Sequence, residues 1–178
     1  MSKQVLILSS SPRKKGNSSA LCDQFLLGAI EADHQVEKIV LAEKKIAFCT
    51  ACYGCRKTGQ CAQKDDMAEI LDSMVEADVI VLATPVYFYS MCAQLKLVID
   101  RTVARYIEIA NKEFYFIITA ADNNKSALTR TVEGLRGFTS CLPKAKEKGI
   151  IYGTGAWEVG EILTSSAMKQ AFQMGKKL

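Results

Sequence analysis

The sequence predicts an α/β protein whose parallel sheet is covered by helices on both faces. Two observations carry this prediction: strand-length apolar runs alternate with helical stretches, and the central runs at 5–8 and 79–83 are apolar without interruption. Continuous apolar runs are typical of strands buried on both faces of a parallel sheet. No linker or composition shift divides the 178 residues, so we expect one domain spanning 1–178.

The first predicted elements surround a polar turn. The continuous apolar run at 5–8 predicts a buried strand over residues 3–9. After the turn, Asn17 or Ser18 can cap a helix that extends to about residue 32, with leucine, isoleucine and phenylalanine on one face. Residues 35–41 alternate apolar and polar side chains, which indicates a second strand nearer the edge of the sheet.

The rest of the chain continues the alternation of helices and strands. Residues 42–64 contain cysteines and have no clear period, so we predict no regular element there. Asp65 or Asp66 then caps the next helix, and Pro85 ends the next strand. The remaining predicted elements are a helix at 67–76, a strand at 78–84, an aromatic loop at 86–92, a helix at 93–106, a strand at 113–121, a helix at 125–140, a strand at 149–152 and a helix at 161–176.

Five strands that alternate with helices favour a flavodoxin-like three-layer sandwich with strand order 2-1-3-4-5 over the six-stranded dinucleotide-binding fold. Ligands of such open sheets bind outside the carboxyl ends of the strands, beside the first strand, where the strand order reverses. We therefore expect a site in the turns after the first, third and fourth strands.

Composition and charge exclude several classes of function. The net charge is only +4, which argues against nucleic acid as the main partner. The longest apolar runs, at 79–83 and 114–121, fall far short of the ~20 residues that cross a bilayer, so we expect no membrane partner. No signal peptide precedes the first strand, and a cytoplasmic protein is expected. The single histidine, His34, argues against Ser-His-Asp and Cys-His catalysis.

The turn after the first strand has the composition of an anion site. The hydroxyl and amide side chains of Ser11, Asn17, Ser18 and Ser19 occur here with Arg13, next to the start of the first helix. A helix N-terminus and charge-assisted hydrogen bonds together suit a phosphate group. A helix cap beside a solvated basic turn is the alternative. The P-loop motif, the G-x-G-x-x-G motif and the spacing of cysteine phosphatases are absent.

Three consecutive aromatic residues, Tyr87, Phe88 and Tyr89, follow Pro85 and Val86 after the third predicted strand. A loop cannot easily bury three aromatic rings at once, so we interpret them as a wall for a flat aromatic ligand. A core-anchoring loop or a dimer contact is the alternative. Together with a phosphate site, such a wall predicts a planar, singly phosphorylated ligand, and FMN fits that description.

Several motifs resemble those of a known family and occur in the same order. They are Ser11-Pro12-Arg13-Lys14 with Gly16-Asn17, Cys49-x2-Cys52-x2-Cys55-x5-Cys61, Asp65-Asp66-Met67, Pro85-Val86-Tyr87, Ala93-Gln94-Leu95-Lys96 and Asp100-Arg101. Over residues 3–105 the chain resembles the NADPH-dependent FMN reductase and iron–sulfur flavoprotein family of flavodoxin-like proteins. It departs from the family's Gly-Ser-Pro-Arg turn at Ser10, which stands where the family has glycine, so a reshaped turn is expected.

The resemblance implies which residues contact FMN. The phosphate would be held by residues of the first turn, namely Ser11, Arg13, Asn17, Ser18 and Ser19. The isoalloxazine ring would lie against the aromatic loop, namely Pro85, Val86, Tyr87 and Phe88. By topology, the loop after the fourth strand, Ala120-Ala121-Asp122-Asn123, would complete the site. Members of this family are commonly dimers or tetramers, so a homodimer or homotetramer is expected.

Four of the seven cysteines, Cys49, Cys52, Cys55 and Cys61, occur together in the segment without a predicted element. Thiolates at this spacing can converge on one [4Fe–4S] cluster, and the motif resembles that of the iron–sulfur flavoproteins. A tetrahedral zinc site and free thiols in a loop near the flavin remain alternatives.

These features predict an FMN-dependent NAD(P)H oxidoreductase that reduces a small acceptor such as a quinone, a free flavin, a nitro compound or a metal. The flavin carries the chemistry, so no catalytic side chain is predicted. The alternative is an iron–sulfur flavoprotein that carries electrons from a ferredoxin-like donor to an acceptor. A non-flavin binder of sugar phosphates or a receiver-like domain fits the two loops less well.

Overall fold

The computed structural model describes all residues from 1 to 178. Its strands are β1 Gln4–Ser9, β2 Gln35–Val40, β3 Val79–Tyr87, β4 Ser90–Met91, β5 Glu113–Thr119 and β6 Lys146–Gly153. Five of them are parallel and lie in the order β2-β1-β3-β5-β6, and the short β4 pairs antiparallel with β3. The predicted α/β class and the order of the five parallel strands are confirmed, with β5 and β6 as the fourth and fifth predicted strands.

Helices connect the strands on both sides of the sheet. They are α1 Asn17–Glu31, α2 Cys55–Thr58, α3 Met67–Glu76, α4 Ala93–Arg101, α5 Thr129–Ser140 and α6 Ser166–Lys176, with 3-10 turns at Leu41–Glu43, Thr102–Ala104, Lys125–Leu128 and Glu161–Thr164. None of the helices combines the length and the apolar character that crossing a bilayer requires.

Two apolar cores lie on opposite faces of the sheet. Because successive strand residues point to opposite faces, Leu6 and Leu8 of β1 belong to one core, whereas Val5 and Ile7 belong to the other. Helices α3, α4 and α5 cover the first core, and α1 and α6 cover the second. This arrangement explains the continuous apolar runs in the sequence.

Helices α1 and α6 contact each other closely at two glycines. A Cβ atom on Gly28 would lie 2.0 Å from the carbonyl oxygen of Phe172, and one on Gly175 would lie 2.1 Å from the carbonyl oxygen of Phe25. Any side chain at either position would force the helices apart. The contact therefore fixes α1, and with it the turn that precedes α1, relative to the sheet.

The aromatic loop predicted at 86–92 is instead a β-hairpin. Strand β3 continues to Tyr87, and Val86 and Tyr87 pair with residues of β4. The two turn residues, Phe88 and Tyr89, have φ angles of 48° and 62°. Two-residue hairpin turns with positive φ at both positions strongly favour Asn-Gly or Asp-Gly, so an aromatic pair carries no turn signal in the sequence.

Several predicted boundaries are also wrong by a few residues. The helix expected at 93–106 ends at Arg101 and continues only as a 3-10 turn, and the last two predicted helices begin as 3-10 turns. Strand β6 begins at Lys146 rather than 149, because charged residues occupy its exposed first part. The segment 42–64, for which no element was predicted, contains the one-turn helix α2.

Candidate functional site

A pocket of about 120 Å³ opens at the carboxyl ends of β1, β3 and β5, beside the N-terminus of α1. This is the edge at which open α/β sheets bind ligands. Its lining comes from the turns after these three strands and from a loop after β6: Ser11, Arg13, Gly16, Asn17, Ser18, Pro85, Val86, Tyr87, Thr119, Ala120, Ala121, Ala156 and Trp157.

The turn between β1 and α1 presents unpaired backbone amides to this pocket. The Gly16 amide donates to the carbonyl of Arg13 at 3.1 Å, which closes the turn. A Cβ atom on Gly16 would lie 2.5 Å from the Ser11 hydroxyl, so a larger residue there would displace that hydroxyl. The first helical bond is donated by Ala20 to Gly16, and the amides between them therefore have no backbone acceptor.

The side chains of this turn complete an anion site. The Ser18 hydroxyl is buried and has no hydrogen-bond partner, an arrangement that costs free energy unless a ligand or water supplies one. Arg13 contributes positive charge, and no aspartate or glutamate lines the pocket. An orphaned hydroxyl, free helix amides and a guanidinium are the donors that a phosphate group accepts from.

The structure separates Ser19 from the other predicted phosphate ligands. Ser11, Arg13, Asn17 and Ser18 line the pocket, whereas Ser19 does not. The Ser19 hydroxyl instead accepts a hydrogen bond from the Lys38 ammonium at 3.0 Å. Its backbone amide remains part of the helix N-terminus.

The Asn17 side chain binds the loop after β6. Its amide nitrogen donates to the carbonyls of Ala156 and Glu158, at 3.2 and 2.8 Å. Its carbonyl oxygen accepts from the amides of Gly160 and Ile162, at 3.1 and 3.5 Å. All hydrogen-bonding groups of this side chain are therefore used within the protein, which differs from the role that the resemblance implies.

The loop after β6 is a part of the pocket that sequence reasoning missed. Ala156 and Trp157 line the pocket from this loop, and the Arg13 guanidinium donates to the Trp157 carbonyl at 2.6 Å. Sequence analysis also missed Thr119, the last residue of β5. The only available signal was the chain's single tryptophan, in a segment with no motif.

Three of the four residues predicted around the aromatic loop line the pocket, namely Pro85, Val86 and Tyr87 at the end of β3. Phe88 lies at the tip of the hairpin, is fully exposed and does not line the pocket. The Tyr89 carbonyl accepts a hydrogen bond from the Thr131 hydroxyl at 3.2 Å, which ties the hairpin to α5.

The loop after β5 contributes two of its four predicted residues. Ala120 and Ala121 line the pocket, but Asp122 and Asn123 do not. The Asp122 carboxylate accepts from the Asn124 amide at 2.7 Å, and its carbonyl accepts from the Gly155 amide at 3.0 Å. Asp122 therefore shapes this loop and its neighbour after β6.

A buried polar network joins the first turn to the hairpin. The Ser10 hydroxyl donates to the Ala83 carbonyl at 2.6 Å, and the Cys92 thiol lies 3.0 Å from the Ser10 hydroxyl oxygen. The Cys92 amide donates to the Thr84 hydroxyl at 3.0 Å. Ser10 thus connects both sides of the pocket.

All four clustered cysteines line a second cavity, of about 330 Å³. Cys49 and Cys52 are exposed, Cys55 and Cys61 are half-buried, and all four thiols are free. No three metal-binding side chains converge tightly enough to hold a single ion. Four thiols around one cavity are nevertheless the donor set of a [4Fe–4S] cluster.

The backbone around these cysteines is unusual. Ala51 and Tyr53 have φ angles of 52° and 57°, a conformation that residues other than glycine rarely adopt. Hydrogen bonds from the Gly54 backbone and the Thr50 side chain hold the pKa of the Cys52 thiol below its ordinary value. Such backbone conformations are concentrated at functional sites.

Comparison with known proteins identifies the family. Residues 4–143 match the model of the protein family described as NADPH-dependent FMN reductase. The chain belongs to this family. The predicted resemblance is thereby confirmed, and the family's description names FMN, the cofactor that the sequence analysis predicts. The loop after β6 lies outside the residues that match the FMN reductase family.

Relatives of this FMN reductase family member include two archaeal proteins. An iron–sulfur flavoprotein of Archaeoglobus fulgidus is 43% identical over 99 residues, which are 56% of this chain and 44% of the relative. An iron–sulfur flavoprotein of Methanocaldococcus jannaschii is 36% identical over 137 residues, 76% of this chain and 70% of the relative. The match thus spans less than half of the first relative's length.

Solved structures share the fold. An NAD(P)H:quinone oxidoreductase from Methanothermobacter marburgensis superposes with a TM-score of 0.75, covering 99% of this chain and 97% of that one. The sequence identity is 18%, so this likeness supports the flavodoxin-like fold and nothing finer.

Proposed function

We propose that this protein binds FMN in the pocket at the carboxyl ends of β1, β3 and β5 and acts as an oxidoreductase. In this proposal NAD(P)H donates the electrons and a small molecule, such as a quinone, a free flavin, a nitro compound or a metal, accepts them. FMN supplies hydride- and electron-transfer chemistry when it is bound. The protein itself binds the coenzyme, orients it and tunes its electrostatic surroundings.

The observation that carries the proposal is that one pocket brings together anion-binding groups and aromatic side chains. Ser18, with its orphaned hydroxyl, and Arg13 line the pocket beside the free amides of α1. Pro85 and Tyr87 line the same pocket. FMN combines a phosphate with a flat ring system, and the family match supports this coenzyme.

Different residues of the pocket would contact the phosphate and the ring system of FMN. Ser11, Ser18 and the α1 amides would donate hydrogen bonds to the phosphate, and Arg13 would add a charge. Tyr87 would pack against the ring system, where aromatic pairs contribute about 0.5–1.5 kcal/mol. Thr119 and Ala121, which also line the pocket, would contact the bound coenzyme.

The test is an anaerobic titration of the purified protein with FMN, followed by steady-state oxidation of NADH and NADPH. We expect stoichiometric flavin binding and turnover with at least one acceptor among a quinone, free flavin, a nitro compound and ferric iron. A protein that fails to bind FMN under these conditions contradicts the proposal.

One observation favours a second candidate, an electron carrier that contains both FMN and an iron–sulfur cluster. Cys49, Cys52, Cys55 and Cys61 line one cavity, and the two relatives described above are named iron–sulfur flavoproteins. These four thiolates would hold a [4Fe–4S] cluster, which transfers single electrons. If the bound flavin is reduced by a ferredoxin-like protein but not by NAD(P)H, this candidate replaces the first.

The predicted homodimer or homotetramer and the cytoplasmic location remain predictions. Light scattering of the purified protein, with and without FMN, measures the oligomeric state directly.

A further inference from the structure

The loop that follows β6, residues 154–162, lies beside the pocket although it is outside the family match; we call it the tryptophan loop. It contributes Ala156 and Trp157 to the lining. The family match ends at 143, so the family's motifs assign no role to this loop.

The backbone of the tryptophan loop is fixed from several directions. Arg13 donates to the Trp157 carbonyl at 2.6 Å, and the Trp157 amide donates to the Glu161 carboxylate at 2.7 Å. Asn17 binds four further backbone groups of the loop. A Cβ atom on Gly155, whose φ is 69°, would lie 2.1 Å from the Asn123 side-chain oxygen. The loop thus has one well-defined path.

The side chain at the centre of this fixed loop is unburied. Trp157 is 65% exposed, although it is the largest side chain of the loop and its backbone is held on both sides. Tyr87 of β3, which lines the same pocket, is also exposed, at 40%. An aromatic side chain on an ordered backbone loses little further entropy when a ligand covers it.

We infer that Trp157 is an additional ligand-contacting residue, whose indole packs against the ring system of the bound flavin. Arg13 and Asn17 act as positioning residues, because their side chains hold the Trp157 backbone and the rest of the loop at the pocket. The inference rests on the proposed FMN site, and it adds a second aromatic wall to that formed by Tyr87.

The test compares two ligands that share the ring system but differ in the phosphate. We expect Trp157→Ala to weaken the binding of FMN and of riboflavin by the same factor, about fivefold or more. Trp157→Phe, which keeps an aromatic ring, should stay within about threefold of the wild type. Ser18→Ala is the matched contrast, because it should weaken FMN binding and leave riboflavin binding unchanged.

A second measurement does not depend on affinity. The chain has one tryptophan, so its indole N–H gives a single resonance in a proton–nitrogen correlation spectrum. We expect riboflavin and FMN to shift this resonance through the ring current of the stacked flavin.

The outcomes separate the inference from the proposed function. Unchanged binding by Trp157→Ala, together with an unshifted indole resonance, overturns the inference while FMN binding by the wild type stands. If Trp157→Ala loses affinity for FMN but not for riboflavin, the inference is also overturned, because the indole would then act only through Arg13 and the phosphate. Failure of the wild type to bind either flavin overturns both.

Discussion

The guanidinium of Arg101 and the carboxylate of Asp65 form a two-point ion pair beneath the cysteine segment. The distances are 2.7 Å from Nη1 to Oδ2 and 2.9 Å from Nη2 to Oδ1. Arg101 is only 2% exposed, and it also donates to the Ala47 carbonyl at 2.6 Å. The Asp65 carboxylate accepts from the Ala47 amide at 2.9 Å. The pair therefore fastens the start of the cysteine segment to α4.

Replacing Asp65 by alanine should strongly destabilise the protein. Arg101 would keep its buried charge without a counter-ion, and breaking a buried pair from one side typically costs about 3–5 kcal/mol. Chemical denaturation followed by circular dichroism measures this free energy of unfolding. Glu133→Ala is the control, because Glu133 pairs with Arg136 on the surface and its loss should change stability by about 0.5 kcal/mol or less. If both substitutions lower the free energy of unfolding equally, the stabilising role of the buried ion pair is contradicted.

The same pair predicts how stability depends on pH. Burial alone raises the pKa of Asp65, but hydrogen bonds from Arg101 and from the Ala47 and Met67 amides outweigh it and hold the pKa below its ordinary value of 3.8. A carboxyl of this kind contributes stability that is complete above its unfolded pKa and is lost as pH falls through the folded pKa. Below pH 3.8, the wild type should therefore lose stability more steeply than Asp65→Ala. If the free energy of unfolding falls equally steeply with pH in the two proteins, this prediction is contradicted.

Two adjacent serines should differ in their effect on FMN binding. The Ser18 hydroxyl is buried, unpaired and at the pocket, whereas the Ser19 hydroxyl is bound by Lys38. Hydrogen bonds to charged groups contribute about 1.5–3 kcal/mol, so Ser18→Ala should raise the FMN dissociation constant by about 10- to 100-fold. Ser19→Ala should change it by less than about threefold. Isothermal titration calorimetry measures both, and a larger loss for Ser19→Ala would reverse the assignment of the two residues.

The sheet and the first turn could be predicted because their signals are local. Buried parallel strands such as β1 and β3 leave continuous apolar runs, and their alternation with helices is sufficient for the topology. The same topology locates Ser18, Tyr87 and Ala121 at one edge of the sheet before any contact is known.

The tryptophan loop and the role of Asn17 could not be predicted in this way. The four partners of Asn17 lie at the other end of the chain, at 156–162, and no local pattern encodes a contact at that separation. The contact between Arg101 and Asp65 could not be predicted either. Both residues belong to motifs that are visible in the sequence, but only the folded structure shows that they form an ion pair.

Ser10, in the turn after β1, should stabilise this protein. Its hydroxyl is buried and bonds to the Ala83 carbonyl and the Cys92 thiol. Ser10→Gly removes these bonds and adds backbone freedom to the unfolded chain, so we expect a loss of about 1–2 kcal/mol. FMN affinity should stay within about threefold, because Ser10 does not line the pocket. Cys92→Ala completes a double-mutant cycle. In the Cys92→Ala protein, Ser10→Gly should lower the free energy of unfolding by less than it does in the wild type. Strictly additive losses of unfolding free energy would exclude the Ser10–Cys92 contact as a source of stability.

The cysteine cavity gives a prediction about cofactor content. After anaerobic reconstitution with iron and sulfide, the wild type should contain about four iron atoms per chain and absorb broadly near about 400 nm. Cys52→Ser should abolish that iron and the broad absorption while FMN remains bound, because Cys52 lines the thiol cavity and is absent from the FMN pocket. Cys141→Ser is the control, since this exposed thiol lies outside the cavity and its loss should leave the iron content unchanged. Iron that survives Cys52→Ser, or that is lost equally in Cys141→Ser, would show that the four cysteines do not form the site.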